Sequence, residues 1–207
     1  MFRTEFYEEQ IHSNELNKWV NYWNKKNYKN NDTIEKFKID RLVLPLVTFY
    51  KDELFIFSGL EDISSWIPNT WRIMTRCVRT NVKPSLKDFS LRGSGIENKT
   101  YPPKLQASIQ SCVGDVLRPN YQQIISTNID TGLDSSQKMG LHMKKLGSKL
   151  YDYTNITEKE IWYTKQTIFK VNVDYLISLG ENYYGYEKFY ELVNHFLKKT
   201  INSNINN

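Results

Sequence analysis

The sequence is poor in the residues that hold metal ions and covalent cross-links. Its 207 residues include two cysteines, Cys77 and Cys112, and three histidines. No Cys-x-x-Cys or His-x-x-x-His spacing occurs, so neither a structural zinc site nor any other metal site is expected. Both cysteines lie in apolar patterns, which favours buried free thiols over a disulfide.

Long apolar runs and leader segments are also lacking. No stretch reaches the roughly 20 apolar residues of a membrane span, and no signal peptide is recognisable. We therefore expect a soluble, cytoplasmic protein with no membrane contact. Lysine, asparagine and isoleucine are abundant, which is typical of an AT-rich genome such as that of a virus, a phage or a low-GC bacterium. If the origin is viral, the compartment is the host cytoplasm.

The common catalytic signatures are missing as well. We find no Gly-x-Ser-x-Gly, P-loop, His-Glu-x-x-His or kinase motif. The chain is still long enough to bury a substantial core. It has no internal repeat and no composition break, which predicts one domain over residues 1–200 and a disordered tail over residues 201–207.

Positive charge is concentrated in one segment. The net charge of the chain is +5. Residues 72–104 contain eight basic and two acidic side chains, so this segment alone carries +6 and the remainder is nearly neutral. A local excess of this kind suits a phosphate-bearing partner, which could be a nucleotide cofactor or nucleic acid. A solvated basic loop would have the same composition.

The run from Trp71 to Val82 predicts a long central strand. β-branched and apolar residues dominate it, and Pro84 closes it. Arg72 and Arg76 share one face because side chains alternate along a strand, and Arg79 points to the other. Guanidinium groups are rarely buried without partners, so these arginines either meet an anion at the sheet end or pair with carboxylates.

The remaining pattern predicts a mixed α/β domain with a central sheet flanked by helices and an extra helix at its carboxyl end. Pro45 implies an edge strand or a bulge. The predicted strands are Phe2–Tyr7, Leu42–Tyr50, Leu54–Leu60, Ile124–Asn128 and Ile161–Val173. The predicted helices start near Ser13, at Pro102 with a stripe of Leu105, Ile109, Cys112, Val113 and Val116, near Ser135 with Met139, Met143, Leu146 and Leu150 in register, and at Tyr186.

This order of elements resembles the GNAT superfamily of acyl-coenzyme A-dependent N-acyltransferases, and in particular its divergent phage and viral members. Three segments carry the resemblance: the arginine-rich strand ending at Val82 together with Arg92-Gly93-Ser94-Gly95-Ile96, the strand Ile124–Asn128, and the segment Leu146–Tyr153. In that family a strand leads into a helix whose amino end receives the cofactor pyrophosphate, a geometry that favours negative charge.

The resemblance implies specific roles for residues of this chain. An acyl-coenzyme A, such as acetyl-coenzyme A, would be the cofactor and an amine the acceptor. Tyr151 or Tyr153 would protonate the leaving thiolate, since a neutral phenol can donate a proton at working pH. Glu61 is a candidate base for the amine. The implied cofactor-binding residues are Arg76, Cys77, Val78, Arg79, Arg92, Gly93, Gly95 and Asn128.

A second interpretation is a non-enzymatic protein that binds nucleic acid or a protein partner with the same basic segment. Trp66, Trp71 and Tyr101 interleave with its charge, as stacking platforms do in proteins that bind single strands. The two hypotheses differ in shape, because a cofactor needs a cleft between the strands that end near Val82 and Asn128. A binding protein would present a broad convex patch there.

Overall fold

The computed structural model describes residues 2–27, 41–50, 52–77, 102–128, 143–154 and 161–205. Seven strands form one sheet in the order β1-β2-β3-β4-β5-β7-β6. In chain order the elements are β1 (Phe2–Phe6), α1 (Glu9–Asn27), β2 (Leu42–Tyr50), β3 (Glu53–Asp62), β4 (Thr70–Cys77), α2 (Pro102–Leu117), β5 (Gln122–Asn128), β6 (Met143–Thr154), β7 (Ile161–Val171), α3 (Val173–Tyr184) and α4 (Tyr186–Ile205).

The sheet is mixed, and its fourth strand in both chain and spatial order is β4. The pair β4–β5 is parallel, whereas the other five strand pairs are antiparallel. The predicted fold class, a mixed α/β sheet flanked by helices, is confirmed. The predicted central strand is confirmed over Thr70–Cys77, and residues 78–82 lie outside the described part.

Pro45 sits in a bulge inside β2. The register between β2 and β3 shifts between Val43 and Leu46, and Leu44 adopts a φ of 57°. A proline cannot donate to the ladder, so an extra residue next to it lets pairing resume at Leu46. Because β1 pairs with the other side of β2, the strand is internal, and the bulge is what accommodates the proline.

Helices cover both faces of the sheet. Leu46 and Val47 are adjacent in β2 and both fully buried, so they point to opposite faces and each face has a core. Val47 belongs to the cluster of Tyr7, Leu16, Leu54 and Phe57, where α1 packs. Leu46 belongs to the cluster of Leu44, Ile109, Cys112, Val113, Phe189, Val193 and Phe196, where α2 and α4 pack.

Helix α2 is enclosed on all sides. Residues 105–114 are buried without interruption, because the sheet lies on one side of the helix and α3 and α4 on the other. Four of these residues are polar. Gln106 accepts from Ser58 and donates to Thr48 at 2.7 Å, and Gln110 donates to Ser58 at 2.7 Å. These side-chain bonds offset part of the cost of burying the amides, while Gln110 Oε1 has no hydrogen-bond partner among the described residues.

Several predicted boundaries are wrong. The helix expected from Ser135 through Leu150 is, over its described part, strand β6. Long-range pairing with β7 overrides the helical spacing, and Gly147 has a φ of 123°, which no helix contains. Helix α1 begins at Glu9 and not near Ser13. Helix α3 was not predicted, and α4 extends through Ile205 into the expected tail.

Candidate functional site

The parallel strands β4 and β5 separate toward their carboxyl ends. They pair only at Thr70 with Gln122, Trp71 with Gln123 and Arg72 with Ile124. Beyond these pairs β4 continues to Cys77 beside β3, and β5 continues to Asn128 beside β7. Residues 73–77 of β4 and 125–128 of β5 therefore face each other, and no described strand lies between them. This opening is the candidate site.

The amino end of α2 lies at the same end of the sheet. The indole of Trp71 donates to the carbonyl of Gly114 at 3.2 Å, and the Gln123 amide donates to the carbonyl of Ser111 at 2.9 Å. Ser58, which is opposite Thr75, bonds Gln106 nearer the start of the helix. Helix α2 thus runs antiparallel to β4, and its amino end points toward the opening.

The first turn of α2 is unusual in its donors and its charge. Pro102 and Pro103 have no backbone N–H, so two of the usual free donors of a helix amino end are missing. The turn holds no acidic residue. Instead it holds Lys104, whose pKa is lowered by burial. Lys104 adds its charge to the positive end of the helix dipole, and no acidic side chain of the first turn offsets it. This end therefore favours an anionic ligand.

Five of the residues predicted for the site are gathered at this end. Strands β4, β5 and β6 all run in the same direction, so Cys77, Asn128 and Thr154 mark their carboxyl ends. Asn128 is opposite Gln166, which is opposite Lys149 on β6. By strand spacing, the Cα of Tyr151 lies about 12 Å from that of Asn128. The other members of the group are Arg76 and Tyr153.

Glu61 is placed away from this group. It lies opposite Arg72 at the end of the sheet where β4 begins. Its carboxylate forms an ion pair with the Arg72 guanidinium, and both residues are buried, at 7% and 5% exposure. The sequence left two alternatives for the arginines, an anion at the sheet end or a carboxylate partner, and Arg72 has the carboxylate partner.

The other predicted site residues, Val78, Arg79, Arg92, Gly93 and Gly95, lie outside the described residues. Most of the basic segment does too, as does Tyr101. Of the predicted stacking platforms, Trp71 is 2% exposed and belongs to the core on the α2 side of the sheet. A base could not stack on it, so the binding-protein interpretation loses one of its three aromatic rings.

Trp71 instead completes a polar cluster where β3 ends and β5 begins. The Arg118 guanidinium lies 5.2 Å from the Trp71 ring centroid and 4.8 Å from that of Tyr121. Arg118 donates to Asp62 at 2.5 Å and also to the Tyr121 hydroxyl. Burial alone would raise the pKa of Asp62, but bonds from the Ser64 hydroxyl and amide and from Arg118 outweigh it and hold the pKa below its usual value.

Lys104 is the site residue that sequence reasoning missed. The sequence contained a signal, since two prolines that open a helix place the next residue in its first turn. By composition alone Lys104 belongs to the basic segment, and only the start of α2 places it beside the opening. In the described part of the chain no group of three or more His, Cys, Asp or Glu side chains could hold a metal ion, and no described helix is long and apolar enough to cross a membrane.

No protein-family model and no curated protein sequence matches this chain. Solved structures with a similar arrangement include an acetyltransferase from Streptococcus agalactiae 2603, with 11% identity, 82% of this chain and 96% of that chain covered, and a TM-score of 0.47. Another is the ribosomal-protein-S18-alanine N-acetyltransferase from Escherichia coli, with 7% identity, 84% of this chain and 94% of that chain covered, and a TM-score of 0.46. A third is the yncA protein from Salmonella typhimurium, solved with its cofactor acetyl-CoA. It has 10% identity, 84% of this chain and 94% of that chain covered, and a TM-score of 0.46. At these identities and TM-scores the likenesses assign no activity to this chain.

Proposed function

We propose that this protein is an acyl-coenzyme A-dependent N-acyltransferase that transfers an acyl group, such as acetyl, to an amine. The observation that carries the proposal is the opening between β4 and β5 with the amino end of α2 beside it. Ligands of open α/β sheets bind outside the carboxyl ends of neighbouring parallel strands, where the chain path switches direction. A phage or viral origin, suggested by the arginine-rich strand, belongs to the same proposal.

The residues at the opening fit the cofactor chemically. The facing edges of 73–77 and 125–128 carry backbone N–H and C=O groups that no described strand pairs. An extended chain with amide groups, such as the pantetheine arm, can take hydrogen bonds from such edges as an added strand would. Lys104 and the α2 dipole favour phosphate at the adjoining end. Lys104 supplies charge where Pro102 and Pro103 supply no donors.

The bound thioester would supply the activated acyl group, and the chain would position it and handle the protons. We assign Asn128 to the arm of the cofactor and Arg76, Cys77, Val78, Arg79, Arg92, Gly93 and Gly95 to the strand end and loop around its phosphates. Tyr151 or Tyr153 would donate a proton to the departing thiolate. Glu61 is not proposed as the base, since its carboxylate is engaged by Arg72.

Calorimetry with coenzyme A tests the proposal directly. The parent protein should bind one coenzyme A per chain, and Lys104→Ala and Arg92→Ala should each weaken binding about five- to a hundredfold, the loss of one phosphate contact. Asn194→Ala, on the exposed side of α4, is the matched control and should bind as the parent does. No binding by the parent would reject the enzyme proposal.

The basic segment also supports a second candidate function, binding of nucleic acid. The salt dependence of binding distinguishes the two candidate functions. Binding of a duplex or single-stranded oligonucleotide through phosphate contacts should weaken steeply between 50 and 200 mM salt. A parent protein that does not bind coenzyme A and shows this steep dependence would favour the nucleic-acid function.

For the enzyme, Tyr151→Phe and Tyr153→Phe should bind coenzyme A normally, and the one that removes the proton donor should lose turnover about a hundredfold or more.

A further inference from the structure

His12 is a buried histidine at the start of α1 that the proposed activity does not use. It is 4% exposed. Its ring lies 5.8 Å from the Tyr7 ring and 5.7 Å from the Phe49 ring, centroid to centroid. Both ring nitrogens have polar neighbours, and those neighbours determine its protonation state.

The hydrogen bonds of His12 fix one neutral tautomer. The backbone N–H of Glu8 donates to Nδ1 at 2.8 Å, so Nδ1 has a free lone pair and no proton. Nε2 lies 3.3 Å from a Glu5 carboxylate oxygen, which can only accept when ionised, so Nε2 carries the proton. The imidazole is therefore neutral, with hydrogen on Nε2.

The contact with Glu8 caps α1. The helix begins at Glu9, and the N–H of His12 bonds the carbonyl of Glu8 at 2.8 Å. Glu8 and His12 therefore exchange two bonds, with the side chain of the fourth helical residue closing back on the residue before the helix. A capping box places Glu or Gln one position earlier, and neither of these acceptors changes its protonation near neutral pH. Here the acceptor is an imidazole nitrogen, which stops accepting once the ring takes up a second proton.

The charges around His12 come from three elements. Glu5 of β1 is at Nε2 and is also paired with Arg3 at 2.5 Å. The Glu8 carboxylate points to Lys199 of α4 at 2.9 Å. The rings of Tyr7 and of Phe49 on β2 also face the imidazole, and neither carries a charge at neutral pH. Protonation of His12 would strengthen the contact with Glu5, but it would place a proton on Nδ1 against the N–H of Glu8.

We propose that His12 is a pH-dependent cap that loosens the first turn of α1 when it is protonated. The imidazolium has no acceptor for the Glu8 N–H, so that donor loses its bond to the ring and faces the new proton on Nδ1. The Glu5 contact holds the ring in place while the cap is lost, which confines the effect to the Glu8–His12 turn. The turn is closed while the ring is neutral and opens when Nδ1 takes up a proton.

Nuclear magnetic resonance tests this on the intact chain. Ring ¹⁵N shifts at pH 8 should show His12 with an unprotonated Nδ1 and a protonated Nε2. Between pH 8 and pH 5, the hydrogen-exchange protection factor of the Glu8 amide should fall about tenfold in step with the His12 titration. In His12→Asn, whose side-chain oxygen replaces Nδ1 and does not titrate, the protection should stay constant across this range.

His195 supplies the matched control. It is exposed on α4, so His195→Gln removes a titrating histidine and should reproduce the parent profile. The proposal is overturned if Nδ1 carries the proton at pH 8, or if His12 titrates with no change in Glu8 protection. It is also overturned if His12→Asn shows the same pH-dependent loss as the parent. The tautomer measurement uses the parent alone, so it decides even if a variant fails to fold.

Discussion

At the scale of single residues, Glu61 and Arg72 form a buried ion pair whose halves depend on each other. Removing one partner leaves a buried charge, which costs roughly 3–5 kcal/mol. We expect Arg72→Met alone to lower the free energy of unfolding by about that amount, measured by urea denaturation. The double variant Glu61→Leu/Arg72→Met should recover most of the loss, because a buried pair is often replaceable by apolar side chains.

The same pair shows what sequence reasoning resolves at this scale. The rule that buried guanidinium groups need partners raised carboxylate pairing as one of two alternatives for Arg72, but it could not name Glu61 as the partner. That choice depends on the β3–β4 register, which joins residues 11 apart through the turn after Asp62. The sequence shows the charge of Lys104, but its place beside the candidate site depends on where α2 begins relative to the opening of the sheet.

At the scale of elements, the Asp62–Arg118 contact ties the end of β3 to the turn between α2 and β5. The folded pKa of Asp62 is below its ordinary value of 3.8, so the contact stabilises the fold above that value and is lost as pH falls through the folded pKa. With side chains 30% and 46% exposed, the contribution should be about 1 kcal/mol or less.

Asp62→Asn should therefore lower stability at pH 7 and make no difference near pH 2, as measured by urea denaturation at both values. Glu191→Gln, which removes an exposed carboxylate of α4, is the control and should change neither. A stability deficit of Asp62→Asn that persists unchanged at pH 2 would show that the charge of Asp62 is not what matters.

Elements with strong local patterns were predictable, and those decided by distant partners were not. β2 and β3 followed from apolar, β-branched runs, and α2 followed from its double proline. The missing donor of Pro45 predicted either an edge strand or a bulge, and the bulge is found. The apolar residues of β6 fall at helical spacing, which predicts a helix, and only the pairing with β7 makes the segment a strand. Helix α3 had signals that were overlooked: Asn172 caps its start and Gly185, with a φ of 83°, ends it.

At the scale of the whole molecule, Cys112 reports on global unfolding. It lies in α2 between the sheet and the carboxyl-terminal helices and is 5% exposed. Burial, with Asp115 and Glu181 nearby, raises its pKa to about 11. Its prediction as a buried free thiol is confirmed, and the side chain of Cys77 lies outside the described residues.

In a Cys77→Ser background, a thiol reagent at pH 8 should therefore label Cys112 only as fast as the protein unfolds. The raised pKa alone reduces the reactive thiolate about a hundredfold relative to a thiol of pKa 9. Labelling should accelerate with urea in parallel with the loss of helical circular dichroism. Fast labelling in native buffer would mean that α2 opens locally.

The short ladder between β4 and β5 also sets the order in which the chain can assemble. β2, β3 and β4 form a meander of near neighbours in sequence, and β6 and β7 form another hairpin. The ladder joins Thr70 to Gln122, so its closure must span α2 and costs more chain entropy than either hairpin. The meander β2–β4 and the hairpin β6–β7 should therefore form before this ladder closes. Pulse-labelled refolding would show this as late protection of the Gln122–Ile124 amides, and early protection there would contradict it.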